Sequence, residues 1–262
     1  MRVIRGKKAL VTGAASGIGR AIALALAREG ADLFLVDIHA ENLTTVSSEA
    51  RGHGVEVVTA ICDLAEPSQI TATVNSLLAE WGRLDILINN AGLTYYGATE
   101  LMTGEQWHRI MSVNLLAPIQ LFRELMPVLS AADEAHILNV CSFLGLVPWR
   151  KATAYQTTKF GLVGFTAALR AEYYREHFGV TALCPGFVRT SLLEEGTRTA
   201  PSWICTTPEI IASKAIGAIR KNRGRVLVTP VAHLCFWLMR ISPTLVDWLL
   251  REGWRRRGRI GG

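Results

Sequence analysis

Residues 9–19 read ALVTGAASGIG, a short apolar run followed at once by a loop with three glycines. Ala9 to Thr12 is predicted to be a buried strand, and an apolar helix is predicted from the end of the loop to about Arg28. A strand, a glycine loop and a helix in succession form the first half of a dinucleotide-binding βαβ unit. The glycines let the backbone approach a pyrophosphate, which the helix N-terminus then binds through its N–H groups. An ordinary strand-to-helix turn is the alternative, but three glycines at this spacing favour phosphate binding.

The second predicted strand, 32–36, ends in an acidic residue, Asp37, eighteen positions after Gly19. A carboxylate at this strand tip is placed to bind the ribose hydroxyls of an adenosine and to repel a 2′-phosphate. Neither the following Ile38 nor the glycine loop offers a compensating cation. The sequence therefore predicts NAD as the cofactor, in preference to NADP.

Strand and helix patterns alternate along the chain as far as a short last strand at 226–228. This alternation predicts an α/β fold, a single doubly wound Rossmann-type parallel sheet of about seven strands with helices on both faces. We assign residues 1–230 to this Rossmann-type domain. Residues 231–262 are predicted to be a C-terminal amphipathic helical extension of the same domain.

A second stretch carries a serine, a tyrosine and a lysine at informative offsets. Ser142 follows an apolar run that is predicted to be a strand, while Tyr155 and Lys159 lie one turn apart on a helix predicted over 153–176 and ended by Gly179. An ammonium near the phenol would lower the pKa of Tyr155 from its usual ~10, so that it could exchange a proton with an alcohol or ketone. The serine hydroxyl could donate a hydrogen bond to the same oxygen. By itself this spacing also fits a solvated helix surface.

Together these motifs resemble those of the short-chain dehydrogenase/reductase family, over nearly the whole chain. The matching motifs are TGAASGIG at 12–19, NNAG at 89–92, Asn114, Ser142, YxxxK at 155–159 and PGxxxT at 185–190. Asn114 lies in a helical region, 104–129, that is predicted to be interrupted near Pro118. Cys141 stands where many members of the family have a second serine.

The resemblance implies a role for each matching residue. Tyr155 would be the general acid/base, Lys159 would tune it and bind the nicotinamide ribose, Ser142 would polarise the substrate oxygen, and Asn114 would hold a water in a proton relay. The implied cofactor-binding residues are Gly13, Ser16, Gly17, Ile18, Gly19, Asp37, Ile38, Asp63, Leu64, Asn90, Ala91, Gly92, Tyr155, Lys159, Pro185, Gly186, Val188 and Thr190. Hydride would pass between a substrate carbon and nicotinamide C4.

Composition restricts the setting in which this chemistry would occur. The 262 residues are half hydrophobic, and the five cysteines form no CxxC pair and no metal-ligand spacing, so we predict one domain with reduced cysteines, no metal and a cytoplasmic location. No signal peptide is visible, and no apolar run approaches the ~20 residues that span a bilayer. Residues 214–262 carry eleven Lys and Arg against two acidic residues, whereas 1–213 carry seventeen against twenty. The basic character thus belongs to the tail, and we predict no nucleic-acid binding.

The tail departs from the ending of many soluble family members. After residue 230 come two predicted helices with apolar stripes, formed by Leu234, Trp237, Leu238 and Ile241 and then by Leu245, Trp248 and Leu249, and three arginines follow at 255–257. This pattern fits a helix lying at a membrane interface and resembles the C-termini of steroid- and retinol-type members. A cover for the protein's own core, or a dimer interface, is the alternative.

An apolar substrate follows from the residues expected around the reacting group. Those residues are Leu93, Tyr95, Phe143, Trp149, Phe187, Leu192 and Trp203. A pocket so lined suits a steroid-, retinoid- or lipid-like secondary alcohol or ketone. We therefore predict an NAD-dependent dehydrogenase of such a substrate, assembled as a homodimer or homotetramer, with possible peripheral membrane contact through 231–262. The alternatives are an NADPH-dependent 3-ketoacyl reductase and a non-catalytic cofactor-binding regulatory protein.

Overall fold

The protein is described by a computed structural model that covers residues 1–173, 177–189 and 204–249. Its sheet has seven parallel strands in the order β3-β2-β1-β4-β5-β6-β7. The strands are β1 Lys8–Thr12, β2 Asp32–Asp37, β3 Val57–Ile61, β4 Ile86–Asn89, β5 Ala135–Val140, β6 Phe178–Cys184 and β7 Arg225–Leu227. The predicted parallel sheet is confirmed.

Helices cover both faces of this sheet. They are α1 Gly17–Arg28, α2 Ala40–Arg51, α3 Pro67–Trp81, α4 Gly104–Met111, α5 Ala117–Ala131, α6 Thr153–Glu172, α7 Pro208–Arg220 and α8 Pro230–Ile241, and residues 243–249 are also helical. The apolar sides of α1, α2 and α7 form one core with one face of the sheet. Those of α3, α5 and α6 form a second core on the other face. This confirms the doubly wound arrangement.

The apolar runs of the sequence become strands because both faces of the central sheet are covered. Every residue of β4 and β5 is buried, as is every residue of β6. A strand buried on both faces has no solvent side and so shows no alternation of polar and apolar residues. The continuous apolar runs thus belong to the middle of the sheet.

The strand order reverses between β1 and β4, which lie side by side. In a parallel sheet such a reversal opens a crevice beyond the carboxyl ends of the strands, and ligands bind there. The glycine loop after β1 and the polar residues after β4 and β5 all lie at this edge. The topology therefore brings together motifs that are far apart in the sequence.

Two sequence-based predictions about helix ends have different outcomes. The prediction that Gly179 ends the sixth helix is wrong, because Gly179 lies within β6, paired with His136. A Cβ on Gly179 would overlap the His136 ring, so this glycine serves strand packing. The predicted interruption near Pro118 is confirmed: a π-helical turn, Ser112–Leu116, separates α4 from α5.

The C-terminal helix α8 packs much less than its composition suggests. Ala232 is its buried residue, whereas Leu234, Trp237 and Ile241 are 61%, 54% and 78% exposed. The alternative that this stripe covers the protein's own core is therefore wrong. Within the three described ranges, no helix is both long enough and apolar enough to cross a membrane.

Candidate active site

The glycine loop packs so closely against the end of β4 that side chains cannot fit. Gly13 has a φ of 64°, and a Cβ on it would lie 2.8 Å from the Cα of Ala91. Gly17 also has a positive φ, of 52°, and a Cβ on Gly19 would overlap the Gly13 carbonyl oxygen. The first turn of α1 contains no acidic residue. Its free N–H groups and positive dipole end therefore suit a phosphate anion.

Thr12 and Asn90 stabilise the glycine loop through side-chain hydrogen bonds. The Thr12 hydroxyl accepts hydrogen bonds from the backbone N–H of Asn90 at 3.0 Å and of Ala91 at 3.1 Å. The Asn90 amide donates to the carbonyl oxygens of Thr12 and Gly13, each at 3.0 Å. The side chain of Asn90, which the resemblance assigns to the cofactor, thus holds the loop in place. Thr12 was not singled out from the sequence, where only its position at the strand end marks it.

Asp37 is tied to the glycine loop across the sheet edge. Its carboxylate accepts hydrogen bonds from the N–H of Ala15 at 2.9 Å and of His39 at 3.0 Å. The intervening Ile38 is 47% exposed and presents an apolar side chain. The negative charge is therefore fixed at the tip of β2, as expected for binding two ribose hydroxyls.

Asp63, at the end of β3, has a carboxylate already held by the protein. One oxygen accepts from the Ala65 N–H at 2.9 Å, and the other pairs with Arg109 at 3.0 Å. The N–H of Asp63 donates to the Gln69 side chain at 2.8 Å. Leu64 is buried beside it. These contacts fix the orientation of the carboxylate that the resemblance assigns to the adenine.

Ser142, Tyr155 and Lys159 come together as predicted. Ser142 follows β5, where its hydroxyl accepts a hydrogen bond from the Leu144 N–H at 3.1 Å, and its interaction with the Tyr155 phenol on the first turn of α6 lowers the pKa of that phenol. The buried Lys159 donates to the Val140 carbonyl oxygen at 2.9 Å. Its ammonium lies 5.7 Å from the centroid of the Tyr155 ring. The helix spacing and the adjacent strand end thus place a hydroxyl, a phenol and a cation at one point.

The electrostatics of this group differ from the sequence-based hypothesis. Burial raises the pKa of Tyr155 to about 12, and the hydrogen bond with Ser142 only partly opposes it. Burial also lowers the pKa of the Lys159 ammonium. The expectation that Lys159 brings the pKa of Tyr155 below its usual value is therefore wrong for this structure. Burial removes the hydration that would stabilise a phenolate at Tyr155. The Lys159 ammonium, which donates to a backbone carbonyl, does not offset that loss.

Asn114 lies in the π-helical turn between α4 and α5 and is completely buried. Its Oδ1 accepts from the Leu93 N–H at 2.7 Å, while Nδ2 donates to the Leu93 carbonyl at 2.9 Å and to the Thr158 hydroxyl at 3.1 Å. A Cβ on Gly92 would lie 3.4 Å from Asn114 Oδ1 and 3.6 Å from Lys159 Nζ. The amide donors are thus occupied in joining the NNAG turn to α6. Single π-turns of this kind are frequent at functional sites.

The end of β6 closes the site on its other side. The Pro185 carbonyl accepts from the Phe143 N–H at 2.9 Å, and a Cβ on Gly186 would overlap the Thr229 hydroxyl, which caps α8. Val188 is buried. The implied cofactor residue Thr190 and the predicted substrate residues Leu192 and Trp203 lie outside the described residues.

Three of the predicted substrate residues form an aromatic cluster beside Ser142. The ring centroids of Phe143 and Phe187 are 5.3 Å apart, and that of Trp149 is 6.3 and 6.4 Å from them, all edge to face. Phe143 is buried and Trp149 is 40% exposed. Leu93 and Tyr95 pack in a separate apolar cluster that also contains Tyr155. Both clusters border the reacting group.

A residue that sequence reasoning missed fixes Trp149. Gln156 is 7% exposed, and its Oε1 accepts from the Trp149 N–H at 2.6 Å. Its Nε2 donates to the Trp149 carbonyl. In the sequence, the one indication of a role for Gln156 was its position directly after Tyr155. Its contact with Trp149 depends on the conformation of the preceding loop, which the sequence pattern does not predict.

Comparison with known proteins agrees with this fold. Residues 7–200 match the family profile described as short chain dehydrogenase. The chain is 33% identical over 192 residues to the 3-oxoacyl-(acyl-carrier-protein) reductase of Thermotoga maritima, an alignment that covers 73% of this chain and 78% of that protein. The structure of a short-chain dehydrogenase/reductase from Burkholderia phymatum in complex with NAD superposes with a TM-score of 0.85 at 25% identity, covering 94% of this chain and 96% of that one. The L-sorbose reductase of Gluconobacter frateurii, complexed with NADPH and L-sorbose, gives 0.79 at 27% identity, with 87% and 97% coverage.

The fold and the site therefore define a nicotinamide-dependent oxidoreductase that acts on alcohol or ketone groups. The chain belongs to the short-chain dehydrogenase/reductase family.

Proposed function

We propose that this protein transfers hydride between NAD and the secondary alcohol or ketone group of an apolar small molecule. The observation that carries the proposal is the meeting of Ser142, Tyr155 and Lys159 at the carboxyl edge of the sheet, next to the NNAG turn. A dinucleotide would extend from the phosphate-binding start of α1, past the glycine loop and the NNAG turn, to the Tyr155 phenol.

The proposed cofactor fits the residues that are present. Gly13 and Gly19 let the loop pack directly against the NNAG turn, where a Cβ would overlap protein atoms, and the free helix N-terminus suits the pyrophosphate. Asp37 favours a ribose with two free hydroxyls over one with a 2′-phosphate, because its charge is fixed by the Ala15 and His39 N–H groups. NAD, when bound, supplies the hydride acceptor or donor. Relatives named with NAD and with NADPH are both known, so Asp37 carries the choice between them.

The protein's own residues transfer a proton and stabilise the charge that develops on the substrate oxygen. In carbonyl reduction the neutral Tyr155 phenol gives its proton to the carbonyl oxygen as hydride reaches the carbon. Ser142 donates a hydrogen bond to the same oxygen and stabilises its developing charge. The Lys159 ammonium stabilises the phenolate that remains, and alcohol oxidation reverses each step.

The aromatic cluster supports an apolar substrate. Phe143, Trp149 and Phe187 present aromatic rings beside Ser142, and the Trp149 indole N–H is the one hydrogen-bonding group among these three side chains. Binding an apolar substrate against these rings is favourable because it removes apolar surface from water. A polyol would find few hydrogen-bonding partners there. A specific activity higher on polyols than on apolar ketones would contradict this part of the proposal.

A 3-ketoacyl reductase that uses NADPH is the second candidate, and the similarity to the Thermotoga maritima 3-oxoacyl-(acyl-carrier-protein) reductase favours its substrate class. Asp37 speaks against it, because this carboxylate would face the 2′-phosphate. The two candidates are distinguished by turnover of a 3-ketoacyl thioester and of apolar ketones, each with NADH and with NADPH. Preferred reduction of the thioester with NADPH would replace the leading proposal.

The central experiment removes the Tyr155 hydroxyl. In Tyr155→Phe we expect turnover to fall by about 1,000-fold while NADH still binds, since the ring and the phosphate site remain. Tyr173→Phe is the matched control: it removes the same atom near Phe122 and Phe178, away from the site, and should keep full activity. Undiminished turnover in Tyr155→Phe would exclude the proposed acid/base role.

We also propose a cytoplasmic homodimer or homotetramer in which 1–230 forms the catalytic domain and 231–262 its extension. Self-association is supported by two exposed apolar side chains. Leu116, in the π-helical turn, is 49% exposed, and Phe160, on α6, is 43% exposed. Light scattering of the purified chain would test the assembly, and a strictly monomeric enzyme with full activity would overturn it.

A further inference from the structure

The two C-terminal helices expose six large apolar side chains. On α8 these are Leu234, Trp237 and Ile241, with exposures of 61%, 54% and 78%. In the helical residues 243–249 they are Leu245, Trp248 and Leu249, with exposures of 43%, 56% and 47%. We call these six residues the apolar stripe. A set of this size on a monomer surface marks an interaction site.

The stripe lies in the most basic part of the chain. Arg240 is exposed on α8, and the Arg225 guanidinium stacks over the Phe236 ring at 5.4 Å. The chain continues from the stripe into 250–262, whose sequence contains five arginines and one glutamate. The body of the protein, residues 1–213, has three more acidic than basic residues. The charge therefore favours an anionic partner at this end of the molecule.

Helix α8, which carries the first half of the stripe, begins next to the substrate end of the site. Thr229, which caps α8 through the Ala232 N–H at 3.2 Å, is in contact with Gly186 at the end of β6. Helix α8 packs against the turn Phe143–Gly145, which holds one ring of the aromatic cluster. A partner that covers the stripe would thus bind to the same helix that packs against the aromatic cluster.

We propose that the apolar stripe docks on an anionic lipid surface, with α8 lying in the interface and the substrate side of the active site turned toward the lipid. Tryptophans at the boundary of a polar and an apolar phase, with arginines beside them, are the composition of such interfacial helices. Anionic headgroups attract the basic segment that follows. Delivery of a lipid-dissolved substrate rests on the proposed function, whereas docking itself does not.

A second copy of the chain is the competing occupant, and charge disfavours it. A two-fold contact through the stripe would pair two copies of α8, each with the exposed Arg240 and no acidic residue, so that like charges repel. That repulsion would have to be offset by the apolar contact, whereas an anionic surface turns the same charge into attraction.

Vesicle flotation of the full-length protein tests the proposal without any activity assay. The protein should float with vesicles of phosphatidylcholine and phosphatidylglycerol and stay in solution with phosphatidylcholine alone. Trp237→Ser combined with Ile241→Ser should weaken binding by at least about tenfold, because it removes apolar area from the interface. The matched control is Ile61→Ser: this side chain is 56% exposed, on β3, at the far edge of the sheet, and its loss should not change flotation.

A charge variant provides the second measurement. Replacing Arg255, Arg256 and Arg257 by serine should weaken binding to anionic vesicles by about 100-fold at low salt and reduce its salt dependence. If the wild-type protein does not float, or if Ile61→Ser reduces flotation as much as the stripe variant, the proposal is wrong. If the stripe variant converts a dimer to a monomer in light scattering and vesicles do not bind, the stripe is an interface between copies. Since flotation needs no substrate, failure of the proposed function would leave this result unchanged.

Discussion

The side-chain amide of Gln156 makes reciprocal hydrogen bonds with the backbone of Trp149. The Trp149 N–H donates to Oε1 at 2.6 Å, and Nε2 donates to the Trp149 carbonyl. Gln156 directly follows Tyr155 on α6, so the helix that carries the phenol also holds the loop that carries the most exposed ring of the aromatic cluster. The buried Gln156 amide therefore fixes the position of the aromatic cluster relative to the Tyr155 phenol.

We predict that Gln156→Ala raises KM for apolar ketones by about tenfold, with a smaller change in kcat, because Trp149 is no longer held against Phe143 and Phe187. KM for a small polar ketone should stay within about twofold, since it does not reach the rings. Steady-state kinetics with both substrates measure the difference.

Gln120→Ala is the control for the Gln156 variant. The Gln120 side chain also donates to a backbone carbonyl, that of Pro67, but on an exposed surface away from the site. It should leave both KM values unchanged. Equal increases for apolar and polar ketones in Gln156→Ala would show a general loss of folding instead of a loosened aromatic cluster.

Gly19→Ala should abolish nucleotide binding. Its Cβ would overlap the Gly13 carbonyl, so the loop must move away from the start of α1, and NADH affinity should fall by at least about 100-fold. Gly217→Ala, in α7, meets no atom within 4 Å and should instead stabilise the fold by about 0.5–1 kcal/mol. Calorimetric NADH titration and thermal unfolding separate the two effects. Wild-type affinity in Gly19→Ala would contradict the assignment of the phosphate site.

The raised pKa of Tyr155 predicts different pH profiles for the two directions of the reaction. With a pKa of about 12 the phenol keeps its proton at neutral pH, so kcat/KM for ketone reduction should not change as the pH rises from neutral. Alcohol oxidation needs the phenolate, so its rate should rise about tenfold per pH unit over the same range. Ser142→Ala removes the hydrogen bond that lowers this pKa and should reduce oxidation further at every pH. A plateau of oxidation near neutral pH would show instead that Lys159 dominates in the working complex.

His136 makes the fold sensitive to acid. This completely buried side chain shares a 2.8 Å hydrogen bond with the Thr181 hydroxyl, and burial lowers its pKa from 6.5 to about 3. The unfolded chain therefore binds a proton that the folded chain excludes, so stability is present above pH 6.5 and is lost as the pH falls toward 3.

The loss should be about 1.4 kcal/mol per pH unit in this window, measured by urea unfolding at several pH values. His136→Asn should flatten the profile, because the titrating group is gone. The exposed His53→Asn should retain the wild-type slope. A wild-type stability that does not change between pH 6 and 4 would mean that His136 is protonated without cost.

How far the sequence could predict the site differs from residue to residue. The place of Tyr155 and Lys159 on one turn of helix follows from the helical period of 3.6 residues, and that of Ser142 at a strand end follows from the continuous apolar run before it. Thr12 could not be found in this way, because its partner Asn90 is 78 positions away and the contact exists only after β1 and β4 have paired. The same holds for Asn114, whose amide joins Leu93 to Thr158 across three elements.

The sequence by itself determined the alternation of strands and helices, the glycine loop and the acidic end of β2, because each depends on neighbours along the chain. Only the tertiary structure decided that burial raises the pKa of Tyr155, that Gly179 makes room for His136, and that the stripe on α8 faces outward. Hydration and close packing depend on atoms brought together from distant segments, and local pattern carries no information about them.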